Sequence, residues 1–158
     1  MNKAEHELKD KGTHRGLVKN NPDIKIAEKH ILKSEHNLNA ALYLRKGSFS
    51  DWSTSAFFYS IYHCFLAILR KFGYESRNQE CTIALVESLI EDKKIDLDIK
   101  FVNALKIRET DHTIHNIIEM REQFQYGVQM EFKENDEFLE YVKMCKEMIH
   151  ETRNIVYK

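Results

Sequence analysis

One proline, five glycines and three cysteines among 158 residues leave this chain little with which to build turns, sheets or cross-links. Sparse Gly and Pro punctuation means long uninterrupted elements and little room for a sheet. Cys64, Cys81 and Cys145 are odd in number, far apart and without metal-ligand spacing. They read as reduced thiols in a cytoplasmic protein, not as a disulfide framework. No apolar run approaches the ~20 residues of a membrane-crossing helix, and the segment Met1–Asp10 is too polar for a signal peptide. No membrane attachment and no cofactor are expected. Neither sign of charge dominates, with 24 Lys+Arg against 25 Asp+Glu. That balance argues against a protein that coats nucleic acid indiscriminately.

What is present is helical. The chain is 42% apolar and 31% charged, the composition of one globular domain that buries roughly two thirds of its unfolded surface. The expected fold is all-α, an up-and-down bundle of four or five helices over residues 24–158. A polar, flexible leader is expected at residues 1–23, within which Gly12–Val18 is the part able to dock. Charge is unevenly spread along the chain. Residues 1–50 hold ten Lys/Arg against six Asp/Glu, and residues 109–140 hold two against nine. Such asymmetry can steer a partner or match two halves of a dimer.

The greasiest stretch runs from Asp51 to Gly73, with Ser50 and Asp51 as cap candidates and Gly73 as its stop. Trp52, Ala56, Tyr59, Tyr62, His63, Leu66 and Leu69 fall at helical steps on one face. Phe57, Phe58, Ile61, Phe65 and Ile68 fill much of the remainder, so this helix must be central. The helix before it spans about residues 22–45, with Ile24, Ala27, Ile31, Ser34, Leu38, Ala41 and Leu42 inward and Lys25, Lys29 and Lys33 outward. The short Lys46-Gly47-Ser48 link makes the two antiparallel neighbours. Ser76 followed by Gln79 has the pattern of a capping box opening a third helix that ends near Glu91. Further helices are predicted over about 96–108 and 114–127. A last one, capped by Asn135 or Asp136, carries a clean apolar stripe from Phe138 to Val156, suited to the bundle or to a dimer.

In this order the parts resemble the HEPN superfamily of small helical bundles. The resemblance rests on the aromatic segment Ala56–Leu69 ending in Lys71-Phe72-Gly73, the polar entry Ser76–Cys81, the segment Met120–Gly127, and the long final helix. It implies a bundle that is commonly a homodimer with a cleft along the subunit contact. Nuclease members carry Arg, four to six residues and then His near that cleft, and cut RNA without a metal. Many small members pair with a minimal nucleotidyltransferase as toxin and antitoxin. The nuclease chemistry is intelligible, because a guanidinium holds the phosphate and its developing charge while an imidazole moves a proton near neutral pH.

Here Arg121 is followed five residues later by Tyr126 instead of His. A phenol with a pKa near 10 is a poor base at neutral pH, although it can donate a hydrogen bond or stack on a nucleobase. The catalytic candidates are Arg121, His63 and His115, and the candidates for contact with RNA or a nucleotide are Arg121, Tyr126 and Tyr62. The bland alternative for His63 and Tyr62 is a satisfied polar group in a core helix. Glu122 either pins the Arg121 guanidinium or is a plain solvated charge. Arg108 and His115 would share a face only if one helix spanned a turn-like Glu109–Thr113. His112 and His115 with Asp111 and Glu119 have zinc-like spacing but no third histidine nearby, so no metal site is expected. The function expected is a dimeric bundle binding RNA or a nucleotide, a toxin-antitoxin or defence component with weak or degenerate metal-independent ribonuclease activity. Its rival is a non-catalytic module that docks a nucleotidyltransferase through the acidic 109–140 region.

Overall fold

The computed structural model describes residues 3, 5, 6, 15–106 and 117–158. In chain order they form β1 (Leu17–Lys19), α1 (Ile24–Lys46), α2 (Ser50–Lys71), β2 (Tyr74–Ser76), α3 (Gln79–Glu91), α4 (Lys100–Leu105), α5 (Ile117–Tyr126) and α6 (Asn135–Val156). The result is the expected all-α bundle, plus a two-stranded antiparallel ladder that sequence patterning did not reveal.

Helix α2 is the axle. Phe57, Phe58, Ile61, Phe65, Ile68 and Leu69 are wholly excluded from solvent. Around them lie Ile31 and Leu38 of α1, Phe101 and Leu105 of α4, Ile117 of α5, and Phe138, Tyr141 and Met148 of α6. Contacts at Ala41–Ser53, Ser34–Ser60, His30–His63 and Asp23–Arg70 run in opposite senses along the two chains, so α1 and α2 are antiparallel. Small side chains make that approach close. Ser34 donates to the Ser60 carbonyl at 2.6 Å and Ser60 returns a bond to the Ser34 carbonyl at 3.0 Å. Both hydroxyls are buried and satisfied, as a dry helix contact requires.

The face of α2 that spacing alone suggested as a shared apolar stripe turns out to be mostly its outer edge. Trp52 and Tyr59 are exposed, and Ser55, Ala56, His63, Leu66 and Arg70 are only partly covered, while Tyr62 and Leu69 turn inward. The helix ends also differ in detail. Phe49 precedes α2 without a side-chain cap, and Ser50 and Asp51 already belong to its first turn. Asn78, not Ser76, caps α3 by accepting from the Cys81 amide. Ser76 instead bonds Asn78 and receives the Thr82 hydroxyl. Glu134 precedes α6 with no side-chain cap, so neither Asn135 nor Asp136 takes that role.

Within the segment expected as a flexible leader, Leu17, Val18 and Lys19 pair with Ser76, Glu75 and Tyr74, and Val18 is buried. The crossing depends on Gly73, whose φ of +81° suits only glycine at ease. Asn20 donates to the Gly73 carbonyl at 2.6 Å, and a Cβ on Gly73 would lie 2.5 Å from the Asn20 carbonyl oxygen.

Candidate functional site

Arg121 leaves the middle of α5 and lies over Phe58 of α2, its guanidinium carbon 4.3 Å from the ring centre. Its Nε is buried without a hydrogen-bond partner. No carboxylate pairs with the guanidinium among the described residues, and Glu122 is simply exposed. A cation seated over an aromatic face and left without an ion-pair partner is an anion-seeking group. It borders a recess of about 40 Å³ formed with Trp52, Ser55 and Phe124, which also meets Asp51 and Gln125. Such a volume takes a water or one ligand oxygen but no nucleobase. Any base must therefore lie on the outer surface. There Trp52 is 58% exposed, Tyr59 42% and Tyr126 81%.

The other expected residues are spread more widely. Tyr62 is buried, stacked on Phe58 at 5.9 Å and bonded through its hydroxyl to Thr82 at 3.2 Å. It is a core tyrosine with a satisfied hydroxyl and cannot stack on a base. His63 is half-buried. Arg121 sits over Phe58 beside Trp52 and Ser55, whereas His63 faces His30, and the two share no contact or recess. Arg108, His112 and His115 lie outside the described residues, as does Asp111. Glu119 is described, and no group of three or more His, Cys, Asp or Glu able to hold a metal occurs among the described residues.

His63 has a partner that sequence reading passed over. Nδ1 of His30 on α1 lies 3.0 Å from Nδ1 of His63, with the rings 5.3 Å apart. Burial, then the His63 ring and Arg70, lower the His30 pKa to about 4. Burial and Lys33 lower that of His63. Both imidazoles are therefore neutral at pH 7, one donating and the other accepting through Nδ1. Two nearby cations make this a poor place for a divalent metal despite the paired nitrogens. Next to His30, Arg70, Tyr74, Glu75, Ser76 and Arg77 help to line a pocket of about 210 Å³. Only the lysine-rich outer side of α1 hinted at this region. The rest comes from β2, whose placement depends on tertiary contacts.

Along its exposed edge α2 thus offers Trp52, Ser55, Ala56, Tyr59, His63, Leu66 and Arg70, spanning ~27 Å at 1.5 Å per residue. Arg121 stands beside one end and the His30 pocket at the other. No described helix is long and apolar enough to cross a membrane. The HEPN domain family matches residues 27–155, most of the chain, and the protein belongs to that family. No curated protein gives a significant match.

Proposed function

We propose, on the premise of HEPN membership, that this protein is a dimeric bundle that binds single-stranded RNA along the exposed edge of α2. One observation carries the reading: Arg121 is a cation with no carboxylate partner among the described residues, seated over Phe58 and beside the solvent-facing Trp52. Arg121 takes a backbone phosphate, and Trp52, Tyr59 and Tyr126 offer surfaces for stacked bases. Base–aromatic stacking contributes about 1–3 kcal/mol per base and tolerates any sequence. Phe49, Val128 and Met130 are exposed near the start of α2, where the Asp51 amide meets the Met130 carbonyl at 3.3 Å. This apolar patch supplies the contact between two copies, leaving the Arg121 side as a cleft.

Cleavage is the weaker half of the proposal. Tyr126 stands where nuclease relatives have histidine, and His63 faces His30 and shares no contact with Arg121 in the same chain. A weak, metal-independent activity would need His63, or His115, from either copy to move the proton. The decisive assay incubates purified protein with mixed RNA in excess EDTA, beside Arg121→Ala, while binding is followed on the same RNA. Binding that weakens with Arg121→Ala supports the RNA reading, and EDTA-resistant cleavage that also vanishes adds the nuclease. Absence of RNA binding leaves the rival module, a protein that docks a minimal nucleotidyltransferase as toxin-antitoxin or defence partner. The same exposed aromatic edge favours that second reading, since tyrosine and tryptophan are typical anchors of protein contacts. Its test is co-purification with a nucleotidyltransferase encoded beside it, lost on Trp52→Ala.

A further inference from the structure

We infer that the pocket between His30, Arg70 and the β2 strand receives a terminal phosphomonoester of the strand lying on α2. The inference rests on the RNA reading above and names the end-group of its ligand. Three features point to a phosphate. First, Arg70 and Arg77 converge on one point, already marked by an anion: the Glu75 carboxylate, 3.2 Å from Arg70 and 3.7 Å from Arg77. Guanidinium pairs of this kind suit a phosphoryl group as well as a carboxylate. Second, Tyr74 and Ser76 help to line the same walls, and the cavity of about 210 Å³ has room for a phosphoryl group. Third, the site lies at the Arg70 end of the exposed edge of α2, one strand's length from Arg121.

The histidines favour a terminal over an internal phosphate. A phosphomonoester has a second ionisation near pH 6 that a diester lacks. His30 faces His63 and Arg70 from α2, shares its own helix with Lys33, and meets Glu75 and Arg77 across the pocket. Burial, the His63 ring and Arg70 keep the ring neutral despite Glu75. A dianion placed beside it reverses that balance, so binding draws a proton onto the His30–His63 pair. Binding of the dianion is therefore accompanied by proton uptake at the pair.

The test compares short single-stranded RNAs of one sequence carrying a 5′-phosphate, a 3′-phosphate or neither. One phosphorylated form binds roughly tenfold tighter than the bare strand, and Arg70→Gln removes that gain. Glu75→Gln, which deletes the resident competitor, increases the gain. A merely structural Arg70–Glu75 ion pair predicts no such increase. Independently of RNA, saturating inorganic phosphate moves the imidazole titrations of His30 and His63 upward in NMR spectra. Titrations that stay put, or equal affinity for all three strands, overturn the inference. Bound but undiscriminated RNA overturns the pocket alone. Absence of RNA binding with histidines that do respond to phosphate removes the α2 reading and leaves the anion site.

Discussion

Nδ1 of His30 and Nδ1 of His63 lie 3.0 Å apart across the α1–α2 contact. Two neutral imidazoles so placed share one Nδ1 proton, and a further proton would put a positive charge in a half-buried groove near Arg70 and Lys33. The pair also sees Arg70 and Lys33. It is a neutral joint between two helices.

Stability should follow that neutrality. The His30 pKa is about 4 in the folded chain against an ordinary 6.5. Between those values the unfolded chain binds more protons than the folded one, so stability falls as pH falls. The contribution is complete above pH 6.5 and is lost as pH drops towards about 4. Denaturant unfolding of wild type and His30→Asn over this window should show a shallower decline in the variant. Parallel declines would mean that carboxylates alone set the acid limb.

Tyr62→Phe separates core from site. The change removes one hydrogen bond to Thr82, which keeps Ser76 and the Asn78 carbonyl as partners. A loss of about 0.5–1 kcal/mol is expected, with RNA affinity unaltered. A change in affinity without a change in stability would return Tyr62 to the binding surface.

Gly73→Ala should uncouple the amino-terminal strand from the bundle. Alanine at φ +81° is strained by about 1–2 kcal/mol, and its Cβ would press on the Asn20 carbonyl at 2.5 Å. The expected loss is therefore about 2 kcal/mol or more, with faster amide exchange at Val18 and Lys19. A variant within about 0.5 kcal/mol of wild type would show that the β1–β2 crossing is dispensable.

These elements also show what the chain states openly and what it hides. The long helices were legible because 3.6-residue periodicity runs through α1 and α6, and Ile31, Leu38, Phe138 and Met148 lie inward as that period requires, although Ile24 at the start of the expected α1 stripe is exposed. On α2 the same rule was ambiguous. With Trp52, Ala56, Tyr59 and Leu66 on one side and Phe57, Ile61, Phe65 and Ile68 on the other, two apolar faces competed, and only packing decides which meets solvent. Three-residue strands at Leu17–Lys19 and Tyr74–Ser76 carry no readable period, and their pairing depends on the Gly73 reversal. Arg121 could be singled out by type and spacing, but its seat on Phe58 could not. His30 stayed hidden because nothing in its local sequence marks a partner thirty-three residues away.

Arg121 is the centre of the account, and a salt titration tests it most directly. Each phosphate neutralised on a single strand contributes about 0.7 to the slope of log affinity against log salt. Binding of a short single-stranded RNA should weaken roughly tenfold or more on Arg121→Ala, and its salt slope should become shallower by about 0.7. Arg121→Lys should recover the slope but not the full affinity, since an ammonium lacks the bidentate donors with which a guanidinium grips a phosphate. Equal affinity and equal slope in wild type and Arg121→Ala would contradict the assignment of this surface to RNA.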